Sequence, residues 1–112
     1  MKYFINENQR KESHSTCFIE FQKGKYDGKC WKEDSLNISF ELFNAMSLGK
    51  ILDEVLTDFD YYDTNEVSFE KWEKLKEILS EKGREYGELL AELEPWVNKN
   101  FKKFKVFTVC GM

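Results

Sequence analysis

Apolar positions in the first third of the chain alternate with polar ones instead of recurring at helical spacing. Residues 2–6 read as a short strand. A polar, non-helical stretch from Asn6 to Ser15 follows and carries His14. From Thr16 the two-residue period returns. Cys17, Ile19 and Phe21 share one face, and Phe18 and Glu20 share the other. Lys23-Gly24-Lys25 reads as a turn. Tyr26 and the Cys30-Trp31 pair predict a further strand, with Asp27-Gly28 as a bulge or tight turn.

Near Leu36 the period changes. Leu36 and Ile38 still alternate, but Leu42, Ala45, Leu48, Leu52, Val55/Leu56 and Phe59 recur every three or four residues. A strand ending near Ile38 and a helix N-capped by Ser39 reconcile the two patterns, with Glu41 at the positive helix end. Gly49 marks the expected bend or break in that helix. Asp60 to Asn65 reads as a loop. Ser68 is the next N-cap, with Val67 and Trp72 spaced as a hydrophobic staple. Its helix carries Trp72, Leu75, Ile78 and Leu79 on one face and stops at Gly83. A third helix follows through Tyr86, Leu89, Leu90 and Leu93, with Pro95 as a kink or the start of a new segment. Residues 105–110 are β-branched and aromatic and read as a closing strand. The predicted architecture is one α+β domain over residues 1–112. Its antiparallel sheet is built from the N-terminal region plus the C-terminal strand and packs against about three helices.

Composition supports a folded core. Hydrophobic residues make up 41% of the chain and aromatic residues 16%, too many for a disordered acidic tail. Cys17, Cys30 and Cys110 are odd in number and widely spaced, so the expectation is free, mostly buried thiols in a reducing cytosol. No apolar run approaches the length of a membrane span, and the N-terminus turns polar too early for a signal peptide. These features predict a cytoplasmic protein with no membrane partner.

Charge changes the picture most. Residues 40–70 hold eight carboxylates (Glu41, Asp53, Glu54, Asp58, Asp60, Asp63, Glu66, Glu70) against Lys50, a formal charge of −7 in a chain whose total is −4. Such a segment attracts basic partners and repels nucleic acid and anionic membranes. Tyr61 and Tyr62 lie inside it, and Tyr is a frequent interface anchor. Asp58 to Phe69 departs from a calcium-binding loop at three of its defining positions, and Cys17, Cys30, Cys110 and His14 lack the pairwise spacing of a zinc site. No metal or cofactor is therefore expected. Catalysis by carboxylates, or by His14 with a cysteine, can be posed but has no motif behind it. The basic run Lys99, Lys102, Lys103 and Lys105, interleaved with Phe101 and Phe104, sits where a helix dipole favours cations, so nucleic-acid binding is not expected.

Ser35-Leu36-Asn37-Ile38-Ser39-Phe40-Glu41-Leu42-Phe43, then Phe59-Asp60-Tyr61-Tyr62, then Glu66-Val67-Ser68 and Trp72-Glu73-Lys74-Leu75 follow one another in a distinctive order. Over residues 35–79 this order resembles small cytoplasmic immunity proteins of bacterial polymorphic toxin systems, including contact-dependent growth inhibition. The resemblance implies a non-enzymatic inhibitor of a cognate toxin domain, often a nuclease and therefore basic. The segment that would bind it comprises Asp53, Glu54, Asp58, Asp60, Tyr61, Tyr62, Asp63 and Glu66. Two other readings stay open from the residues themselves: a small carboxylate- or metal-dependent enzyme, and an adaptor subunit of a complex unrelated to toxins.

Overall fold

The alternation in Phe18–Lys23 builds the middle strand of a sheet that is buried on both faces. The computed structural model describes residues 1–60 and 62–111; Tyr61 and Met112 lie outside the described residues. Strands β1 (Phe4–Ile5), β2 (Phe18–Lys23), β3 (Leu36–Ser39), β4 (Thr64–Ser68) and β5 (Val106–Cys110) form one sheet ordered β1-β3-β2-β5-β4. Every described pairing is antiparallel. The helices are α1 (Glu7–Glu12), α2 (Phe40–Ala45), α3 (Leu48–Val55), α4 (Phe69–Glu81) and α5 (Arg84–Phe101). The fold is α+β, and the C-terminal strand joins the N-terminal sheet as expected; its place beside β2 is set by the structure.

One face of the sheet is apolar. Ile19 and Phe21 of β2, Ile38 of β3, Val67 of β4 and Phe107 and Val109 of β5 turn toward the helices and are buried. Phe107 is the hub. Its ring stacks on Phe21 at 6.1 Å and meets Trp72, Trp96 and Phe101 edge-on at 6.2, 5.7 and 5.9 Å. The helices begin where the sequence indicates. Ser39 Oγ accepts from Leu42 N–H at 3.1 Å, and Ser68 Oγ accepts from Lys71 N–H at 3.3 Å. Val67 and Trp72 are both buried beneath the start of α4.

The other face is polar. Glu20, Gln22, Asn37 and Thr108 point to it, and each is buried. Residues 24–35 cross it as an irregular strap rather than as the strand predicted around Tyr26 and Cys30-Trp31. The reason is that sheet side chains, not a neighbouring strand, satisfy the strap's backbone. Glu20 Oε1 accepts from Trp31 N–H (2.9 Å) and from Gln22 Nε2 (2.9 Å), and Oε2 accepts from Lys32 N–H (2.8 Å) and Ser35 Oγ (2.7 Å). Gln22 Nε2 also donates to Lys29 O at 2.8 Å. Trp31 adopts φ of +61°, a left-handed conformation costly for an aromatic residue, and is held there by these bonds and by the Arg10 guanidinium 4.1 Å from its ring centroid. The strap begins at Gly24, whose φ of +70° and whose packing against Phe104 leave no room for a Cβ.

Other expectations differ from the structure locally. The polar stretch after Asn6 forms α1, because Asn6 and Gln9 make a reciprocal capping box. Arg10 and Glu7 on this helix form a buried bidentate pair at 2.6 and 2.7 Å. The break in the second predicted helix falls at Met46–Ser47, where Ser47 takes φ of +53°, and not at Gly49, which is buried within α3. Residues 64–68 are a strand, not the end of a loop. Cys17 and Cys30 are exposed and only Cys110 is buried, which corrects the expectation of mostly buried thiols. Pro95 lies inside a continuous α5.

Replacing Glu20 with Ala strands four donors at once, in a site only 2% exposed. A loss of about 3–5 kcal/mol in denaturant unfolding is expected, with fast hydrogen exchange at the Trp31 and Lys32 amides. A loss below about 1 kcal/mol would mean that the strap does not depend on this carboxylate.

Candidate functional site

The two edges of the sheet are treated differently. At the β1 edge, Glu92 of α5 reaches across and accepts from Lys2, Tyr3 and Phe4 N–H at 2.7, 2.9 and 3.0 Å. That carboxylate closes the edge to a further strand. The β4 edge is covered less: Asp63 Oδ1 takes the Thr64 N–H at 2.7 Å, and among the described residues no side chain bonds the Glu66 N–H. Gly111 N–H donates to Asp63 O at 2.9 Å, and the two-residue alternation of an antiparallel ladder then turns the backbone groups of Thr64, Glu66 and Ser68 away from β5. A groove of about 360 Å³ runs along this edge. Leu56, Thr57 and Asp58 form one wall, β4 contributes Thr64, Glu66 and Ser68, and Lys71 is a single cation at its rim.

Of the acidic residues named from the sequence, Asp58 and Glu66 line this groove. Asp53 and Glu54 are exposed on α3, Asp58 is exposed in the connection after it, and Glu66 is exposed on β4. The carboxylates of these four have no hydrogen-bond or ion-pair partner among the described residues. Asp60 and Asp63 are exposed as well, but each also shapes the loop: Asp60 Oδ1 accepts from Tyr62 N–H at 2.8 Å, and Asp63 Oδ1 accepts from Thr64 N–H at 2.7 Å. Tyr62 is 83% exposed, and Tyr61 lies outside the described residues. Phe69, the first residue of α4, is 54% exposed and rests edge-on against Phe101 at 5.3 Å.

Asn65 fixes the loop that carries these groups. Its side chain is buried, accepts from Asp60 N–H at 2.9 Å, and donates to Asp60 O and Asp63 O at 2.8 and 3.1 Å. The sequence reading assigned residues 60–65 to a loop and so missed both this anchor and the open edge beside it. The available signal was short: Thr64 and Val67 are β-branched, and Asn65 and Val67 alternate with Thr64, Glu66 and Ser68.

The remaining candidate chemistry does not assemble. His14 is exposed on a left-handed turn after α1. Among the described residues, no three His, Cys, Asp or Glu side chains form a group able to hold a metal ion. The basic run at the end of α5 gains Lys23 from β2: Lys23, Lys99, Lys102 and Lys103 surround a hollow of about 310 Å³ with Phe104 and Asp34. Among the described residues, no helix is long and apolar enough to cross a membrane.

Comparison with protein-family models, curated proteins and solved structures finds no match to this chain. The functional reading therefore rests on the geometry of the open edge and on the resemblance carried by residues 35–79.

The division of labour within the loop is testable by denaturant unfolding. Asn65→Ala is expected to cost about 1–2 kcal/mol, since it leaves Asp60 N–H without its partner and removes one of the donors to Asp60 O and to Asp63 O. Asp58→Asn is expected to fall within about 0.5 kcal/mol of the parent. Equal effects from the two would contradict the assignment of Asn65 as the anchor and Asp58 as a free surface acid.

Proposed function

We propose that this protein is a cytoplasmic immunity protein that binds and neutralises a basic toxin domain through the acidic β4 edge. The observation that carries the reading is the acidic groove along β4, together with the loop that leads into it. Asp58 and Glu66 line the groove without a hydrogen-bond or ion-pair partner among the described residues, Tyr62 of the loop stands in solvent, and the backbone of Glu66 faces away from β5. Each has a separate use in docking. Carboxylates speed encounter with a cationic partner and fix its orientation. Tyr62 offers a large, amphipathic contact that loses little conformational freedom. The outward N–H and C=O groups of Glu66 can pair with an extended segment of the partner.

Binding alone is sufficient for inhibition in this reading. A toxin nuclease presents cations to bind phosphate, and an acidic surface competes for the same field. The resemblance of residues 35–79 to immunity proteins supplies the identity of the partner as a toxin. The surface itself supplies only its charge and the extended shape of the docking segment. An adaptor in another complex would share this surface, and the identity of the bound partner separates the two.

Co-expression with the toxin encoded beside this gene provides the first test: the two are expected to co-purify, and the protein is expected to protect cells. Asp58→Lys combined with Glu66→Lys should then lower the association rate at least about tenfold in low salt, with the difference shrinking as salt rises. These two sites are chosen because neither carboxylate holds the loop. An unchanged rate constant removes the acidic edge from the interface; absence of any complex removes the immunity reading.

A further inference from the structure

Cys30 and Cys110 line the same hollow on the polar face of the sheet, although 80 positions separate them in the chain. The hollow is about 320 Å³ and is completed by Thr16, Phe18, Glu20, Trp31 and Gly111. Register places Cys110 there: it is the cross-strand partner of Glu20, so both side chains leave the sheet on the same side. Cys30 is suspended above the same seam. Its predecessor Lys29 is held by Gln22 and its successor Trp31 by Glu20, and Gln22 and Glu20 are the β2 residues paired with Thr108 and Cys110. Cys30 is exposed, with its sulfur 3.7 Å from the Tyr26 hydroxyl. Cys17 is exposed too, but it does not line the hollow.

We propose that Cys30 and Cys110 are a thiol pair that closes into a disulfide across this hollow, clamping the 24–35 strap to β5 under oxidising conditions. The empty volume between the strap and the sheet gives Cys30 room to settle into the approximately 4.4–6.8 Å Cα separation that the bond requires. The oxidant is a low-molecular-weight disulfide. The exposed Cys30 reacts first: its thiolate attacks one sulfur of the oxidant, forms a mixed disulfide and releases one thiol. Cys110 then gives up its proton to solvent, attacks the Cys30 sulfur and expels the second thiol. Two protein thiols lose two electrons and two protons, and one small disulfide becomes two thiols.

The two cysteines are unequal in a way that orders these steps. Burial, with Glu20 and Cys30 nearby, pushes the Cys110 thiol up to about 12. Closure is therefore slow near neutrality and quickens by about tenfold for each unit of pH, whereas the first step needs only access to Cys30. The strap is already placed by Glu20 and Gln22, so closure constrains the unfolded chain more than it rearranges the folded one.

The test uses the intact protein with glutathione disulfide as the oxidant, followed by mass spectrometry of the whole chain and of its peptides. The expected course is a glutathione adduct on Cys30 that converts, faster at pH 9 than at pH 7, into a monomer lighter than the reduced chain by two hydrogens and joined Cys30 to Cys110. Cys17→Ala should follow the same course, and Cys30→Ala should not form the bond. The oxidised monomer should unfold at least about 5 °C higher than the reduced one and return on reduction. An adduct on Cys30 that persists, a bond to Cys17, a disulfide-linked dimer or no reaction overturns the proposal. So does a Cys30–Cys110 bond that lowers the unfolding temperature, because it would have closed from a distorted chain.

Discussion

A buried carboxylate governs how this sheet is covered. Glu20 sits in the middle strand, and its two oxygens accept four hydrogen bonds from Gln22, Trp31, Lys32 and Ser35. Three of those donors belong to the 24–35 strap, which has too few apolar residues to be held by burial alone. Polar groups beneath the strap, Glu20 foremost with Gln22 and Thr108 beside it, hold it onto the sheet. This gives the molecule two unlike halves. On the helical side, apolar packing around Phe107 supplies the cohesion. On the strap side, directional bonds do so, and a missing partner there costs more than an imperfect apolar contact. Asn37, the β3 partner of Glu20, illustrates the cost: its amide is buried without a hydrogen-bond partner among the described residues.

With both faces covered, the edges decide what the sheet can meet. At one edge, Glu92 binds the amides of Lys2, Tyr3 and Phe4 and leaves them nothing to offer. At the other, Asp63 takes the Thr64 N–H, but the outward backbone of Glu66 lies beside a groove that Asp58 also lines. An uncovered strand in an isolated chain is a route to aggregation. Negative charge at Asp58 and Glu66 restrains that route, since a second copy would bring like charges together. The same charges favour an extended segment that carries cations. In the proposed reading, discrimination against self and attraction of a basic partner would come from one set of residues.

Much of this was legible in the chain. The switch from period two to period three or four at Ser39, the caps at Ser39 and Ser68 and the closing strand all follow from side-chain chemistry that acts over a few residues. The charge of the 40–70 segment and its exposure at Asp53, Glu54, Asp58 and Glu66 were also readable, because unpaired acids seldom enter a core. The strap was not. Its path depends on Glu20 and Gln22, which contact it from across a turn, and no local pattern encodes those bonds. Strand β4 was hidden for a related reason: only Val67 of its five residues is strongly apolar, so Thr64 and Asn65 read as the end of a loop and Ser68 as a helix cap until β5 pairs with them. The helix α1 was a different kind of omission, since Asn6 and Gln9 already spelled its capping box.

The claim on which the functional account depends is that the open β4 edge is where the partner docks. Hydrogen exchange of the protein, free and in complex with the toxin domain proposed as its partner, tests this at the level of single amides. The account predicts strong new protection at the outward amides of Glu66 and Ser68, with the amides of Lys2, Tyr3 and Phe4 at the closed edge unchanged. A footprint on the outer faces of α4 and α5, with residues 64–68 exchanging as they do in the free protein, would contradict it.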